Sequence, residues 1–126
     1  MEQRKRLSDG ELDVMDAVWA GEGAVSSTYV HEKLKGIRDW ALPAVITALN
    51  RLVDKGFLSC GKEGRINYYR PLVSREEYRA AEGRGLLDRL YGSSCKGLVA
   101  SLVEGKAIGR EELEELRRYL DELEGK

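Results

Sequence analysis

The stretch from Ala41 to Leu72, "ALPAVITALNRLVDKGFLSCGKEGRINYYRPL", joins a helix-period segment directly to a short hairpin. The first part keeps one apolar face over about three and a half turns, which predicts an amphipathic helix with Leu42, Val45, Ile46, Leu49, Leu52 and Val53 on that face. Two runs rich in β-branched and aromatic residues, "FLSCG" and "RINYYR", then predict strands joined around Lys62, Glu63 and Gly64. A helix followed at once by a cationic hairpin leaves few small folds open.

Two further helices are predicted before this stretch. Ser8 and Glu11 have the spacing of a capping box, and an apolar helical face follows in Leu12, Met15, Val18 and Trp19. A second, short helix is capped by Ser26 or Ser27 and stopped by Gly36. Three helices followed by a hairpin is the element order of a winged helix-turn-helix, a fold that places its last helix in the major groove of DNA.

The remaining residues predict three more helices. Ser74 opens a helix that runs to about Tyr91, "CKGLVASLV" forms a short apolar helix, and the last helix follows Gly109. The predicted fold class is therefore mainly α with a small β-wing. We expect a winged-helix domain in residues 1–72, followed by a three-helix region in residues 73–126.

Charge is distributed unevenly in a chain of 126 residues with a formal net charge of −1. From Lys33 to Pro71 there are eight basic and three acidic residues, whereas from Leu72 to Lys126 there are ten basic and twelve acidic ones. The positive excess thus coincides with the third helix, its approach and the hairpin. Such a patch is typical of a surface that binds a polyanion.

The polar face of the third helix and the hairpin provide the candidate contacts to double-stranded DNA. A helix can read base edges in the major groove, while basic residues of a hairpin contact phosphates or the neighbouring minor groove. The candidate DNA-binding residues are Ala44, Thr47, Arg51, Lys55, Lys62 and Arg65. For Arg51 we expect a phosphate contact; the alternative is a surface salt bridge with Asp54 or another nearby acid.

Several segments resemble the penicillinase-repressor (BlaI/MecI/CopY) family. They are "LSDGELDVMDAVWAGEGAVSSTYVHEKL", "DWALPAVITALNRLVDKGFL" and "GRINYYRPLVSREEY", and "LLDRLYGSSCKGLVASLVEGKAIGREELEELRRYL" is similar to the dimerisation region of that family. The resemblance implies a homodimeric transcriptional repressor whose carboxyl-terminal helices interlock across a two-fold axis, with two winged domains on a palindromic operator.

Two departures from the family pattern concern DNA and the release signal. The family has Ser or Thr where this chain has Ala41 and Ala44, so the known operator sequence does not transfer, although alanine can contact a thymine methyl group. In the antibiotic-responsive members a signalling protease triggers cleavage of an Asn–Phe bond, and the aligned residues here are Ser101 and Leu102. The tail lacks the Cys-x-Cys pairs of the copper-responsive members.

The leucine-rich faces of the last three helices are the candidate dimer interface. These helices are short and carry most of their apolar residues on one side, which a second copy would bury; the alternative is an internal core of one monomer. The candidate dimerisation residues are Leu86, Leu90, Leu98, Leu102, Leu113, Leu116 and Leu120.

Other functions find little support in the sequence. No phosphate loop, nucleophile–histidine pair or metal-ligand spacing is present, so we expect no enzyme activity, no metal and no cofactor. His31 is expected to face solvent or the DNA backbone, and Cys60 and Cys95 to be small buried residues, with a redox switch as the alternative. Without an apolar span or export signal, we expect a cytoplasmic protein.

One alternative function keeps the same fold. Small residues on the third helix, among them Ala41, Pro43, Ala44 and Ala48, weaken the case for base readout. They favour a protein-interaction module that uses this face for a partner chain.

Overall fold

The computed structural model describes residues 6–125, which form six helices and three short strands. The helices are α1 (Asp9–Ala20), α2 (Ser27–Leu34), α3 (Leu42–Asp54), α4 (Arg75–Tyr91), α5 (Cys95–Glu104) and α6 (Arg110–Glu124). The strands are β1 (Val25–Ser26), β2 (Leu58–Glu63) and β3 (Ile66–Pro71). This is the mainly α fold with a small β-wing that the sequence predicts. The chain divides into two compact units between Ala80 and Ala81.

Local capping explains where the first three helices begin and end. Ser8 accepts a hydrogen bond from the Glu11 amide and donates its own amide to the Glu11 carboxylate, which confirms the predicted capping box. Ser26 caps α2 by accepting from the Tyr29 amide. Pro43 lies in the first turn of α3, and Gly56 follows its end with a φ of +86°.

The hairpin differs from the prediction in its turn. Strand β2 continues through Lys62 and Glu63, and Glu63 pairs with Ile66, so the turn consists of Gly64 and Arg65. Gly64 has a positive φ of +64°, a conformation that hairpin turns require and that glycine adopts readily. The prediction that Lys62 and Glu63 form the tip is wrong, because cross-strand pairing extends the ladder through residues of low β-propensity.

The sheet contains a third strand that the sequence does not predict. The two residues of β1 pair antiparallel with β3, Val25 opposite Tyr69 and Ser26 opposite Tyr68, giving the strand order β1-β3-β2. β3 is the central strand, and its Tyr69 belongs to the hydrophobic core and is almost completely buried.

The core of the first unit joins its three complete helices to the sheet. Its buried apolar residues are Leu7, Val14, Met15, Ala17, Val18, Val25, Val30, Leu34, Val45, Leu49, Leu52, Phe57, Leu58, Tyr69 and Val73. The first turn of α4 also belongs to this unit. Tyr78 packs against Trp19 and Phe57, with ring centroids 6.1 and 5.8 Å apart, and its hydroxyl accepts from the Leu7 amide.

The second unit has no comparable core among its described residues. Ser94 caps α5, and the left-handed Gly92 and Ser93 separate α4 from α5. None of the residues of α4, α5 or α6 whose burial is described is buried, and the three helices pack only loosely on one another. Isolated helices of 10–17 residues are only marginally stable in water, because most helical stability in proteins comes from the packing of an apolar face.

Candidate nucleic-acid interface

One face of α3 lies open to solvent over the whole helix. Val45, Leu49 and Leu52 are buried, whereas Ala44, Thr47, Asn50 and Arg51 are exposed on the other side. The Thr47 hydroxyl donates to the Pro43 carbonyl oxygen at 3.0 Å. With its proton used there, Thr47 presents an acceptor oxygen and a methyl group, a combination suited to base amino groups and thymine methyls.

Contacts with α1 and α2 fix the start of α3. His31 lies half-buried on α2, and its Nε2 donates to the Trp40 carbonyl oxygen at 3.0 Å. This differs from the expectation that His31 faces solvent or the DNA backbone. The Trp40 ring packs against Gly10 of α1, where an added Cβ would lie 2.9 Å from Cη2 of the ring. The glycine therefore permits a close approach that orients α3.

An ion pair between α1 and the residue after α3 fixes the other end of the helix. The Lys55 ammonium donates to both carboxylate oxygens of Glu11 at 2.7 Å. Burial raises the pKa of Glu11, but the hydrogen bonds from Lys55 and Ser8 outweigh it, and the net pKa is lowered. The predicted DNA contact of Lys55 stays a prediction, and in this structure its charge is already engaged.

Other basic residues of the region are also paired with upstream acids. Arg38 pairs with Asp13 at 2.7 Å and Lys35 with Glu32 at 3.3 Å. Within residues 6–125 the remaining five form no salt bridge, so the alternative of an Arg51–Asp54 pair is not realised. These five are Lys33, Arg51, Lys62, Arg65 and Arg70.

We call the hairpin of β2 and β3 the wing. The unpaired cations therefore lie mostly on α3 and on the wing. Lys62 is opposite Asn67 in the ladder, and Arg65 lies in the turn; both side chains are exposed. Because side chains alternate along a strand, Lys62 shares a sheet face with Cys60 and Leu58. Paired residues share a face as well, so this is also the face of Tyr69, which contacts α3.

The candidate dimerisation leucines differ in exposure. Leu86, Leu90 and Leu120 are exposed, at 37%, 64% and 48%. The other four are half-buried, namely Leu98, Leu102, Leu113 and Leu116. The candidate cleavage residues Ser101 and Leu102 lie inside α5, and the Ser101 hydroxyl accepts from the Tyr91 hydroxyl at 3.1 Å.

Both cysteines differ from the prediction. Cys60 and Cys95 are exposed free thiols, so the expectation of small buried residues is wrong. Cys60 shares its sheet face with the buried Leu58, but at that point β2 has left the core. The redox alternative remains an untested prediction. Among the described residues, no three His, Cys, Asp or Glu side chains are grouped so that they could hold a metal ion.

Sequence reasoning missed one exposed polar residue of α3. Asn50 is not among the candidate contacts, yet its Oδ1 accepts a hydrogen bond from the Tyr69 hydroxyl of the wing at 3.3 Å. Its position three residues after Thr47 is the available signal, since residues i and i+3 lie on neighbouring parts of one helix face.

Comparison with known proteins identifies the family. The model of the penicillinase repressor family matches residues 7–122. The chain belongs to the penicillinase-repressor family. The penicillinase repressor of Bacillus licheniformis is 30% identical over 122 residues, covering 97% of this chain and 94% of that protein. The transcriptional regulator BlaI of Mycobacterium tuberculosis is 34% identical over 126 residues, covering 98% of this chain and 89% of that protein.

Solved structures of penicillinase repressors match the winged-helix part. The solution structure of the DNA-binding domain of the repressor BlaI is 32% identical, with a TM-score of 0.53, and covers 62% of this chain and 94% of that one. The solution structure of the monomeric form of Bacillus licheniformis BlaI in complex with the blaP half-operator is also 32% identical, with a TM-score of 0.52. These matches confirm the predicted family and the winged-helix fold. No helix in residues 6–125 combines the length and apolarity that crossing a membrane requires.

Proposed function

We propose that this chain is a homodimeric transcriptional repressor that binds a palindromic operator in double-stranded DNA. The observation that carries the proposal is the coincidence of an open α3 face with the unpaired cations Arg51, Lys62 and Arg65. This surface occurs in a family whose member from Bacillus licheniformis has been solved in complex with a half-operator.

Each winged domain would occupy one half-site. The face of α3 enters the major groove, where Ala44 and Thr47 meet base edges and Arg51 meets a phosphate. The wing contacts the adjacent backbone through Lys62 and Arg65, and these contacts fix the register of the helix. Lys55 contributes by holding α3 on α1 through Glu11.

Three unpaired cations per half-site predict a steep salt dependence. A dimer that neutralises about six phosphates should show a slope of roughly −5 in log affinity against log salt, or about a thousandfold loss between 50 and 200 mM. The test is fluorescence anisotropy with palindromic DNA from the upstream region of its own gene. Arg51→Ala should weaken binding to all sequences about equally and make the slope less negative by about one unit per subunit.

A matched control is Arg79→Ala, which removes another exposed arginine, from α4. It should leave both affinity and slope unchanged. Binding no tighter than to unrelated DNA would refute the proposal. Salt-insensitive association with another protein, without DNA binding, would instead support the interaction-module alternative.

Dimerisation is supported by the exposed apolar residues of the second unit. Its three helices have no buried side chain among the described residues. Leu86 and Leu90 lie exposed four residues apart on α4, and Leu120 and Leu123 lie exposed three residues apart on α6. A two-fold partner would cover these residues on both copies at once, as an isologous interface requires. The sequence predicts a helical region that begins at residue 73. We propose that the second half of α4, together with α5 and α6, forms the dimerisation domain.

Release from DNA is proposed to require loss of the dimer, with cleavage in α5 as one route. The Ser101–Leu102 bond is in helical conformation, and the carbonyl oxygens of both residues accept hydrogen bonds from the segment that follows α5. A signalling protease would need α5 to unwind first. Since α5 has ten residues and none of its described side chains is buried, its local unfolding costs little.

A further inference from the structure

Asn50 is the polar residue of α3 that lies between Thr47 and the wing. At 3.6 residues per turn, three residues advance a side chain by about 300°, so Asn50 lies roughly 60° around the helix from Thr47. Ala44 lies about 60° away on the opposite side by the same geometry. The hydrogen bond to Tyr69 of β3 shows that the Asn50 side is the one facing the wing.

The bond to Tyr69 determines which way the Asn50 amide points. The Tyr69 hydroxyl can donate only to the carbonyl oxygen, Oδ1, at 3.3 Å. The two N–H donors of Asn50 are then directed away from that contact, on a residue that is itself exposed. An asparagine free to rotate would present donors and acceptor alike, whereas this one offers donors.

The environment of Tyr69 keeps its hydroxyl protonated, so that it can donate. The ring is almost fully buried. Burial and the neighbouring Cys60 thiol raise the pKa of Tyr69, outweighing the opposite effect of Asn67, so the hydroxyl stays protonated at neutral and mildly alkaline pH. The proton that the Tyr69 hydroxyl donates to Asn50 Oδ1 is therefore present under the conditions in which DNA binding would be measured.

We propose that Asn50 is an additional DNA contact that donates hydrogen bonds to the operator, and that Tyr69 is a positioning residue that orients its amide. The inference rests on the proposed function, since it adds one contact to the same surface. The acceptors within reach of such donors are phosphate oxygens and the O6, N7 or O4 acceptors of the major groove. The contact joins the helix and the wing into one surface.

A double-mutant cycle on the full-length chain tests the proposal. Asn50→Ala should weaken operator binding about five- to tenfold, and Tyr69→Phe about threefold, because the ring still packs while the amide turns freely. The double variant should bind like Asn50→Ala alone. The salt slope should stay that of the wild type in all three, since a neutral donor releases no counterion.

The controls separate this role from a structural one. Tyr68→Phe removes the hydroxyl of the next tyrosine, which lies on the other sheet face, and should leave affinity unchanged. Thermal unfolding of each variant shows whether it is folded at the assay temperature. Asn50→Asp keeps an acceptor for Tyr69, so a structural bond survives, but operator binding should fall further than in Asn50→Ala.

Two results would overturn the inference. One is wild-type affinity in Asn50→Ala, and the other is additive losses in the double variant, which would show that Tyr69 acts independently of Asn50. If the wild-type chain itself bound no operator, the proposed function would fail together with this inference. If the wild-type chain bound the operator and Asn50→Ala bound it equally well, only this inference would fail.

Discussion

Single charged residues in the first unit have roles that depend on partners far away in sequence. The Glu11 carboxylate accepts from the Ser8 amide and from Lys55, which lies 44 residues later. Glu11 is thus both the capping residue of α1 and the anchor for the end of α3. Because it is the one buried charged residue among those described, its loss should affect stability more than the loss of a surface pair.

The first prediction concerns Glu11→Gln and its pH dependence. At pH 7 the free energy of unfolding should fall by about 1–2 kcal/mol, as expected for the loss of a charge-assisted hydrogen bond. The pKa of Glu11 is lowered in the folded chain, so its contribution is present above the unfolded value of about 4.3 and is lost as the pH falls through the folded value. Urea unfolding at pH 7 and below pH 4 should show the difference disappearing.

The control for this variant is Glu32→Gln. Glu32 pairs with Lys35, and both side chains are more than half exposed, so its loss should cost less than about 0.5 kcal/mol at any pH. Equal destabilisation by the two substitutions would contradict the role given to Glu11.

At the residue scale the sequence predicts local partners well and long-range partners poorly. Ser8 and Ser26 can be recognised as caps because the amides that they accept from lie three residues away. A charge count cannot show that Arg38 and Lys55 are paired with Asp13 and Glu11, since those acids lie on another helix. The candidate DNA contacts themselves remain predictions that only binding measurements decide.

At the scale of elements, periodicity and turn residues predict all six helices of residues 6–125. The errors lie in the sheet. Strand β1 has two residues and therefore no period to detect, and it exists because β3 offers it a partner. The predicted hairpin turn lies too early because Gly61, Lys62 and Glu63 have low β-propensity, whereas cross-strand pairing decides the outcome.

Two glycines allow an element-scale prediction in which one substitution has opposite effects. Gly83 lies in α4 with no neighbouring atom within 4 Å of an added Cβ, so Gly83→Ala should raise stability by up to about 1 kcal/mol. Gly64 also has open space, but its φ is +64°, and Gly64→Ala should lower stability by about 1 kcal/mol. Thermal unfolding followed by circular dichroism measures both.

This pair of variants separates backbone conformation from packing. Neither added methyl group meets a neighbour within one subunit, so in the monomeric chain any difference in sign comes from the φ of each position. Changes of the same sign in the two variants would show that α4 or the wing turn does not have the conformation described.

At the scale of the molecule, the two units differ in how they can be stable. The first has a core of buried apolar side chains drawn from every helix and strand between α1 and β3. The second exposes Leu90, Leu120 and Leu123 and buries nothing among its described residues. The leucine spacing predicts an apolar face in this unit, but it cannot separate a dimer from an internal core, because both need the same face.

The final prediction therefore tests the dimer directly with matched substitutions of two exposed leucines. Leu120→Glu in α6 should convert the chain from a dimer of about twice its 14.1 kDa mass to the monomer in light scattering, because a charge would be buried in the interface. Leu72→Glu, at a similarly exposed leucine of the first unit, should remain dimeric. Affinity of Leu120→Glu for the full palindrome should fall by about a hundredfold or more, since two tethered heads bind with a high effective concentration, while half-site binding stays unchanged. A wild-type chain that is already monomeric at micromolar concentration would refute the proposed assembly.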